Sequence, residues 1–183
     1  MTPRLLLLAV LLVSGCMSNH PPLALAPSVD LPRFMGDWYV IASIPTFIEE
    51  GAHNAVESYR LADDGTIETT FTFRKDGFDG EQKRYEPRGF IMDGTSNAVW
   101  GMQFVWPIKS DYRIVYLTPD YTQTVIGREK RDYVWIMART PQIPQSDYQR
   151  ILQLLATQGY EVSQIRKVPQ RWDEQPSEAG GAQ

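Results

Sequence analysis

Apolar and polar residues alternate along most of the middle of this chain. Phe71 and Phe73 alternate with threonines, and three later runs repeat the alternation with aromatic residues and methionine. A period of two residues, rich in aromatic and β-branched side chains, is typical of strands with one buried face. The pattern predicts eight strands, at residues 37–45, 52–62, 66–75, 82–92, 98–106, 111–118, 122–129 and 133–140.

The connections between these strands are short, so neighbouring strands are expected to be antiparallel and to follow one another around the sheet. Residues 146–158 break the pattern with apolar side chains at helical spacing, Gly159 stands where that helix would end, and a last strand is predicted at 160–168. Closing the sheet removes its exposed edges. The predicted fold class is all-β: an eight-stranded antiparallel up-and-down β-barrel with one C-terminal α-helix packed on the outside.

The N-terminus has the features of an export signal. Arg4 precedes a run of nine apolar residues that ends at Val13, which is too short to span a bilayer. The run leads to Ser14-Gly15-Cys16, which resembles the lipobox of bacterial lipoproteins and implies acylation of Cys16. A non-lipidated signal with a chance cysteine is the alternative. The predicted boundaries are a signal peptide at 1–15, a lipidated tether at 16–30, a barrel at 31–168 and a flexible tail at 169–183.

Charge and reactive residues narrow the functions that the chain can have. A formal net charge of −4 argues against nucleic-acid binding, which needs clustered lysine and arginine. Cys16 is the only cysteine, and neither His20 nor His53 stands near a nucleophile or a second metal ligand in the sequence. The pair Glu49-Glu50 is expected on the solvated surface. The sequence therefore predicts a binding protein without a metal or cofactor, rather than an enzyme.

Three short segments stand out at the ends of the predicted strands. They are Gly36-Asp37-Trp38-Tyr39 at the first strand, Thr118-Pro119-Asp120-Tyr121 between the sixth and seventh strands, and Arg139-Thr140-Pro141 at the end of the eighth. In this order, with eight strands around them, they resemble the signature blocks of the lipocalin family over about residues 31–168. Together with the lipobox, the resemblance points to the branch of bacterial outer-membrane lipoproteins.

The resemblance implies that Trp38 and Arg139 close one end of the barrel, with the guanidinium over the indole. Such contacts stabilise by about 0.5–2 kcal/mol, so both residues are expected to be structural. Strand parity then places other side chains inside the barrel. The predicted ligand-binding residues are Val40, Ala42, Trp100, Met102, Phe104, Tyr112, Ile114, Tyr116, Trp135 and Met137, with Tyr133 on the same face. An interior filled by these side chains is the alternative.

Such a lipocalin is expected to store or carry a hydrophobic ligand, such as a fatty acid or a lysophospholipid. Its expected location is the outer membrane, attached by the lipid anchor and facing the periplasm. A tetrapyrrole ligand and a homodimer are left open. Two other classes also remain: a lipid isomerase or hydrolase that depends on Glu57 or a cavity tyrosine, and a structural envelope protein with a filled barrel.

Overall fold

A computed structural model of the protein describes residues 20–172; the predicted signal peptide, Cys16 and residues 173–183 lie outside this range. The described chain contains the helices α1 (Leu31–Phe34) and α2 (Gln145–Thr157), neither long and apolar enough to cross a bilayer. Its strands are β1 (Gly36–Ile44), β2 (Ala52–Leu61), β3 (Ile67–Lys75), β4 (Gln82–Tyr85), β5 (Arg88–Ile91), β6 (Val99–Val105), β7 (Ile108–Leu117), β8 (Gln123–Gly127), β9 (Val134–Ala138) and β10 (Arg166–Lys167).

The strands form a closed barrel, because β1 pairs with β2 and also with β9. All the pairings are antiparallel, and the order follows the chain. The predicted fourth strand at 82–92 is two strands, β4 and β5, which both pair with β3. It is interrupted at Glu86 and Pro87, since proline has no N–H to donate to a ladder. Counting β4 and β5 as one interrupted strand, the barrel has the eight strands that the sequence predicts.

The helix α2 lies within a residue of its predicted bounds and packs on the outside of the barrel. Its apolar stripe of Tyr148, Ile151 and Leu155 is buried against outward-facing residues of the barrel wall, including Ile136. The predicted last strand at 160–168 was wrong in extent. Most of it is a 3₁₀ turn and irregular chain, and only β10 forms a ladder, on β1.

Both terminal segments are bound to the barrel more closely than the sequence predicts. Residues 20–30 are packed rather than free, with Leu23, Ala26 and Val29 buried, and the amide of Ala26 donates to the carbonyl of Ile114 at 2.9 Å. At the other terminus, residues 169–172 continue the domain. The side chain of Gln170 donates to two backbone carbonyls of the barrel wall. The folded unit therefore extends beyond the predicted range of 31–168 at both ends.

The two ends of the barrel differ. Helix α1 and the β7–β8 connection lie at the end where β1 begins, which we call the closed end. The connections β1–β2, β3–β4, β6–β7 and β8–β9 lie at the opposite, open end. This arrangement determines where a ligand can enter.

Candidate ligand cavity

The closed end is held by Arg139. Its guanidinium lies 3.8 Å over the ring of Trp38 and donates to backbone carbonyls on both sides of Gly36, among them Met35 at 2.8 Å and Asp37 at 2.7 Å. Gly36 has a φ of +90°, and a Cβ there would lie 3.4 Å from the arginine, so glycine suits this position. The structure thus contains the contact that the sequence predicts between Trp38 and Arg139.

Aromatic side chains fill the closed half of the barrel. Phe34 of α1 enters it and lies 5.1 Å from Trp38 and 5.6 Å from Trp100, measured between ring centroids. Trp100 stacks on Tyr112 at 5.1 Å, and Tyr59 meets Trp100 edge-on at 5.7 Å. We call these five residues the aromatic floor. The sequence alone left open whether the interior is a ligand cavity or is filled by side chains. In the structure one half of the barrel is filled and the other is open.

A cavity of about 460 Å³ lies between the aromatic floor and the open end. Its walls are mostly apolar and aromatic, with a few polar groups at its two ends. A cavity of this size and composition suits one small hydrophobic ligand. The lining residues are Thr46, Phe47, Ile48, Glu49, Glu57, Tyr85, Glu86, Pro87, Met102, Phe104, Val105, Ser110, Asp111, Tyr112, Arg128, Tyr133 and Trp135.

The ten residues that the sequence assigns to the ligand fall into three groups. Met102, Phe104, Tyr112 and Trp135 line the cavity, as does Tyr133. A second group belongs to the interior core but not to the cavity wall: Val40, Trp100, Ile114 and Met137. A third group, Ala42 and Tyr116, lies on the outside of the barrel wall, in the cluster that packs against α2.

Two β-bulges explain why Ala42 and Tyr116 face the outside of the barrel instead of its interior. The register of β1 with β9 shifts between Val40 and Ala42, and that of β7 with β8 shifts between Ile114 and Tyr116. An extra residue in one strand reverses which side chains face inward beyond it. Ala42 and Tyr116 each come directly after such a shift, so simple alternation places them on the wrong face.

Glu57, which the sequence suggests only for the enzyme alternative, is a cavity residue outside the predicted ligand-binding set. It lies on β2, on the inner face shared with Ala55 and Tyr59, and is 9% exposed. The hydroxyl of Tyr59 donates to Glu57 Oε2 and lies 2.6 Å from the hydroxyl of Tyr112. Burial, and secondarily the negative charge of Glu49, raise the pKa of the Glu57 carboxyl to about 8. A carboxyl at an inward strand position is the signal that could have identified it.

Glu49 was expected on the surface, and the structure corrects this. Its neighbour Glu50 is exposed, but Glu49 turns into the cavity from the β1–β2 connection. One carboxylate oxygen accepts from the amide and hydroxyl of Thr46, both at 2.8 Å, and the other accepts from Trp135 Nε1 at 2.8 Å. Burial raises the pKa of Glu49, while the hydrogen bonds oppose that rise. The position of this carboxylate depends on its contact with Trp135, which is distant in the sequence and which a turn sequence does not reveal.

The other acidic residues of the lining are neutralised by arginines outside it. Glu86 pairs with Arg84 at 2.6 Å, and Asp111 pairs with Arg113 at 2.9 Å. Arg128 is the one basic residue of the lining within the described range 20–172, and its guanidinium lies 5.1 Å from the Tyr133 ring centroid and near Asp132. Within residues 20–172, Glu49 and Glu57 have no salt-bridge partner of their own.

The open end has an apolar rim. Phe47 on the β1–β2 connection and Trp106 at the tip of the β6–β7 hairpin are each 82% exposed, and Val105 and Ile108 beside that tip are also exposed. We call these four residues the apolar rim. Exposed apolar side chains grouped around an opening are typical of an interaction surface rather than of ordinary solvated protein.

A barrel plugged at one end, open at the other and built around an apolar cavity belongs to the class of small barrels that enclose one hydrophobic ligand. Residues 29–170 match the family model described as a lipocalin-like domain. The chain belongs to this lipocalin-like family.

The chain is similar to curated proteins from plants, bacteria and animals. It is 29% identical to temperature-induced lipocalin-1 of Arabidopsis thaliana, an alignment that covers 84% of this chain and 86% of the relative. It is 28% identical to the outer membrane lipoprotein Blc of Citrobacter freundii, over 88% of this chain and 92% of the relative. Apolipoprotein D of Bos taurus is 27% identical, over 80% of this chain and 78% of its own.

Among solved structures, insecticyanin from the tobacco hornworm Manduca sexta superposes with a TM-score of 0.64. The superposition covers 85% of this chain and 87% of insecticyanin, at 15% identity. Similarity at this level concerns the fold, and it agrees with the closed barrel described above.

Proposed function

We propose that this protein is a membrane-anchored lipocalin that stores or transports a lipid with a single hydrophobic chain, such as a fatty acid or a lysophospholipid, in the cell envelope. The observation that carries the proposal is the apolar cavity of about 460 Å³ above the aromatic floor. The similarity to outer membrane lipoproteins supports an outer-membrane location facing the periplasm. We expect binding without chemical change of the ligand.

The path of the N-terminal segment supports membrane attachment near the cavity. Arg131, on the β8–β9 connection at the open end, donates a hydrogen bond to the carbonyl of Pro21. His20 therefore lies beside the open end. Cys16 precedes His20 by four residues, which span at most about 14 Å when fully extended. A lipid on Cys16 would hold the open end, with its apolar rim, toward the bilayer.

Ligand binding is tested by titrating the chain from Ser18 onward with a fluorescent fatty acid and following quenching of tryptophan emission. We expect saturable binding in the micromolar range or tighter. Phe104→Asp, at the edge of the cavity, should weaken it at least about tenfold, since a charge then faces the acyl chain. Leu61→Asp is the matched control, because Leu61 is similarly exposed but lies at the closed end.

The outcomes separate the candidate functions. No saturable binding by any acyl probe would overturn the proposal and favour a structural role. Recovery of a chemically altered probe would favour an enzyme instead. For the anchor, Cys16→Ser should release the protein from the membrane fraction, and retention of that variant in the fraction would contradict lipidation.

A further inference from the structure

The inner end of the cavity is acidic, which an acyl chain alone does not explain. Glu57 lies there beside Tyr112 of the aromatic floor, and Tyr59, also of the floor, donates a hydrogen bond to its carboxyl. A methyl end of a lipid placed there would desolvate the Glu57 carboxyl without offering it a hydrogen bond. Burying a polar group without a hydrogen-bond partner is unfavourable. The inner end therefore favours a polar ligand group.

The hydrogen bonds around Glu57 leave one of its two carboxyl oxygens without a donor. Its Oε2 accepts from Tyr59, whose hydroxyl is shared with Tyr112. Among residues 20–172, no side chain or backbone group donates to Glu57 Oε1, and this oxygen is not one of the fully buried atoms without a partner. This oxygen belongs to a residue that lines the cavity. A donor carried by a ligand would complete the site.

The charges around this position determine which donor fits. Glu49 adds a second carboxylate to the same cavity, and its negative charge is one cause of the raised pKa of Glu57. Glu86 and Asp111 are paired with arginines, and Arg128 is engaged with the ring of Tyr133 and with Asp132. In the part of the chain that the structure describes, no cation of the lining pairs with Glu49 or Glu57. A ligand cation that draws Glu57 into its ionised form therefore gains an ion pair that a neutral donor or an anion does not offer.

We propose that the inner end of the cavity is a binding site for a protonated amine, so that a long-chain aliphatic amine enters nitrogen first with its alkyl chain toward the apolar rim. The ammonium donates to Glu57 Oε1 and is further stabilised by the charge of Glu49. A carboxylate at this position would gain no ion pair and would lie in the field of Glu49, so we expect a fatty acid to bind with its carboxylate at the mouth. This inference rests on the proposed function and narrows its class of ligand.

The test compares three ligands of equal chain length, dodecylamine, dodecanol and dodecanoate, below their aggregation concentrations, by calorimetric titration of the chain from Ser18 at pH 7. We expect dodecylamine to bind at least about tenfold more tightly than dodecanoate. Glu57→Gln should remove about tenfold of the amine affinity and change dodecanol binding less than twofold. Glu50→Gln is the matched control, because Glu50 is exposed and does not belong to the cavity lining.

Proton release gives a readout in the unmodified protein. An ammonium bound to Glu57 favours the ionised carboxyl, so amine binding at pH 7 should release close to one proton, measured in two buffers of different ionisation enthalpy. The amine affinity should rise with pH up to about 8, where Glu57 ionises, and level off above it.

Equal binding of amine and carboxylate, or an amine affinity that Glu57→Gln leaves unchanged, would overturn the amine site. In those cases the barrel still binds an acyl chain, and the proposed function stands. If none of the three ligands binds, the proposed function fails together with the amine site.

Discussion

Arg139 stabilises the closed end with one planar side chain. Its Nη2 donates to the carbonyls of Arg33, Phe34 and Met35, while Nη1 donates to Asp37 and the plane lies on Trp38. Backbone carbonyls at the start of a barrel need donors, and a guanidinium offers five in fixed directions. Lysine offers three on a flexible stem and no plane to stack.

We therefore expect Arg139→Lys to lower the free energy of unfolding by about 2 kcal/mol, since two or more hydrogen bonds to a charged group are lost. Urea unfolding followed by tryptophan fluorescence measures this. Arg60→Lys is the control, because Arg60 is exposed and pairs only with Glu68. Ligand affinity should not change, as Arg139 does not line the cavity. An unaltered unfolding midpoint would contradict the structural role.

Glu57 makes stability depend on pH. Its pKa in the folded protein is about 8, against 4.5 for an exposed glutamate. Between these values the folded state keeps the proton and the unfolded state loses it, so the free energy of unfolding falls as the pH rises. Below about 4.5 both states are protonated, and above about 8 both are ionised, so the dependence is confined to that window.

We expect Glu57→Gln to remove this dependence. Relative to the unmodified protein, the variant should gain up to about 1.4 kcal/mol per pH unit between pH 5 and pH 8. Unfolding curves at pH 5, 6.5 and 8 measure the difference, and Glu68→Gln on the exposed face of β3 provides the control. A difference between variant and unmodified protein that stays constant across this range would contradict the assignment of Glu57 as a buried, protonated carboxyl.

Two segments outside the regular strands contribute to the wall of the barrel. Residues 20–30 lie along it, and residues 169–172 fill the place where β1 and β2 separate. There the amide nitrogen of the Gln170 side chain donates to Val40 at 2.8 Å and Ala55 at 3.1 Å, and the carbonyl of Pro169 accepts from Asn54. In a continuous ladder these backbone groups would form hydrogen bonds between the strands. Here residues 169–172 provide the hydrogen bonds instead.

A chain ending at Val168 should therefore be less stable than one ending at Trp172, by about 3 kcal/mol or more. The estimate counts the lost hydrogen bonds at about 1 kcal/mol each, and the packing of Trp172 on Tyr39 adds to it. Thermal unfolding of the two truncated chains compares them directly. Equal stability would show that residues 169–172 contribute nothing to the domain.

The two ends of the barrel differ in structure and in surface character. The closed end is filled and capped, whereas the open end combines the cavity mouth, the apolar rim and the start of the described chain at His20. Tryptophan and other apolar side chains at a surface partition into the interfacial region of a bilayer. These features predict that the open end contacts the membrane.

We expect Trp106→Ser to reduce binding of the non-lipidated chain to phosphatidylcholine vesicles severalfold, since one of the two most exposed aromatic residues of the rim is lost. Met92→Ser is the control, because Met92 is an exposed apolar residue at the closed end. Brominated lipids should quench the emission of the unmodified protein more than that of Trp106→Ser. Equal vesicle binding by both variants would contradict this orientation.

The alternation of apolar residues was enough to predict the eight-stranded barrel and the position of α2. Each strand must bury one face, and the short turns leave only antiparallel neighbours. The segments around Trp38 and Arg139 were also informative, because they resemble lipocalin signature blocks and that resemblance implied their contact. The predicted limits of the domain and the extent of the last strand were wrong, because irregular segments bury residues without a period that a sequence reveals.

The cavity depended on long-range packing. Bulges at Val40 and Ile114 turned Ala42 and Tyr116 outward, and register is a property of paired strands rather than of either strand alone. Phe34 of α1 helps to fill one half of the barrel, which leaves the other half open. The β1–β2 connection folds inward and brings Glu49 to Trp135, so an apparent surface carboxylate becomes part of the cavity. Chain pattern thus determined the barrel, and contacts between distant residues determined what the barrel encloses.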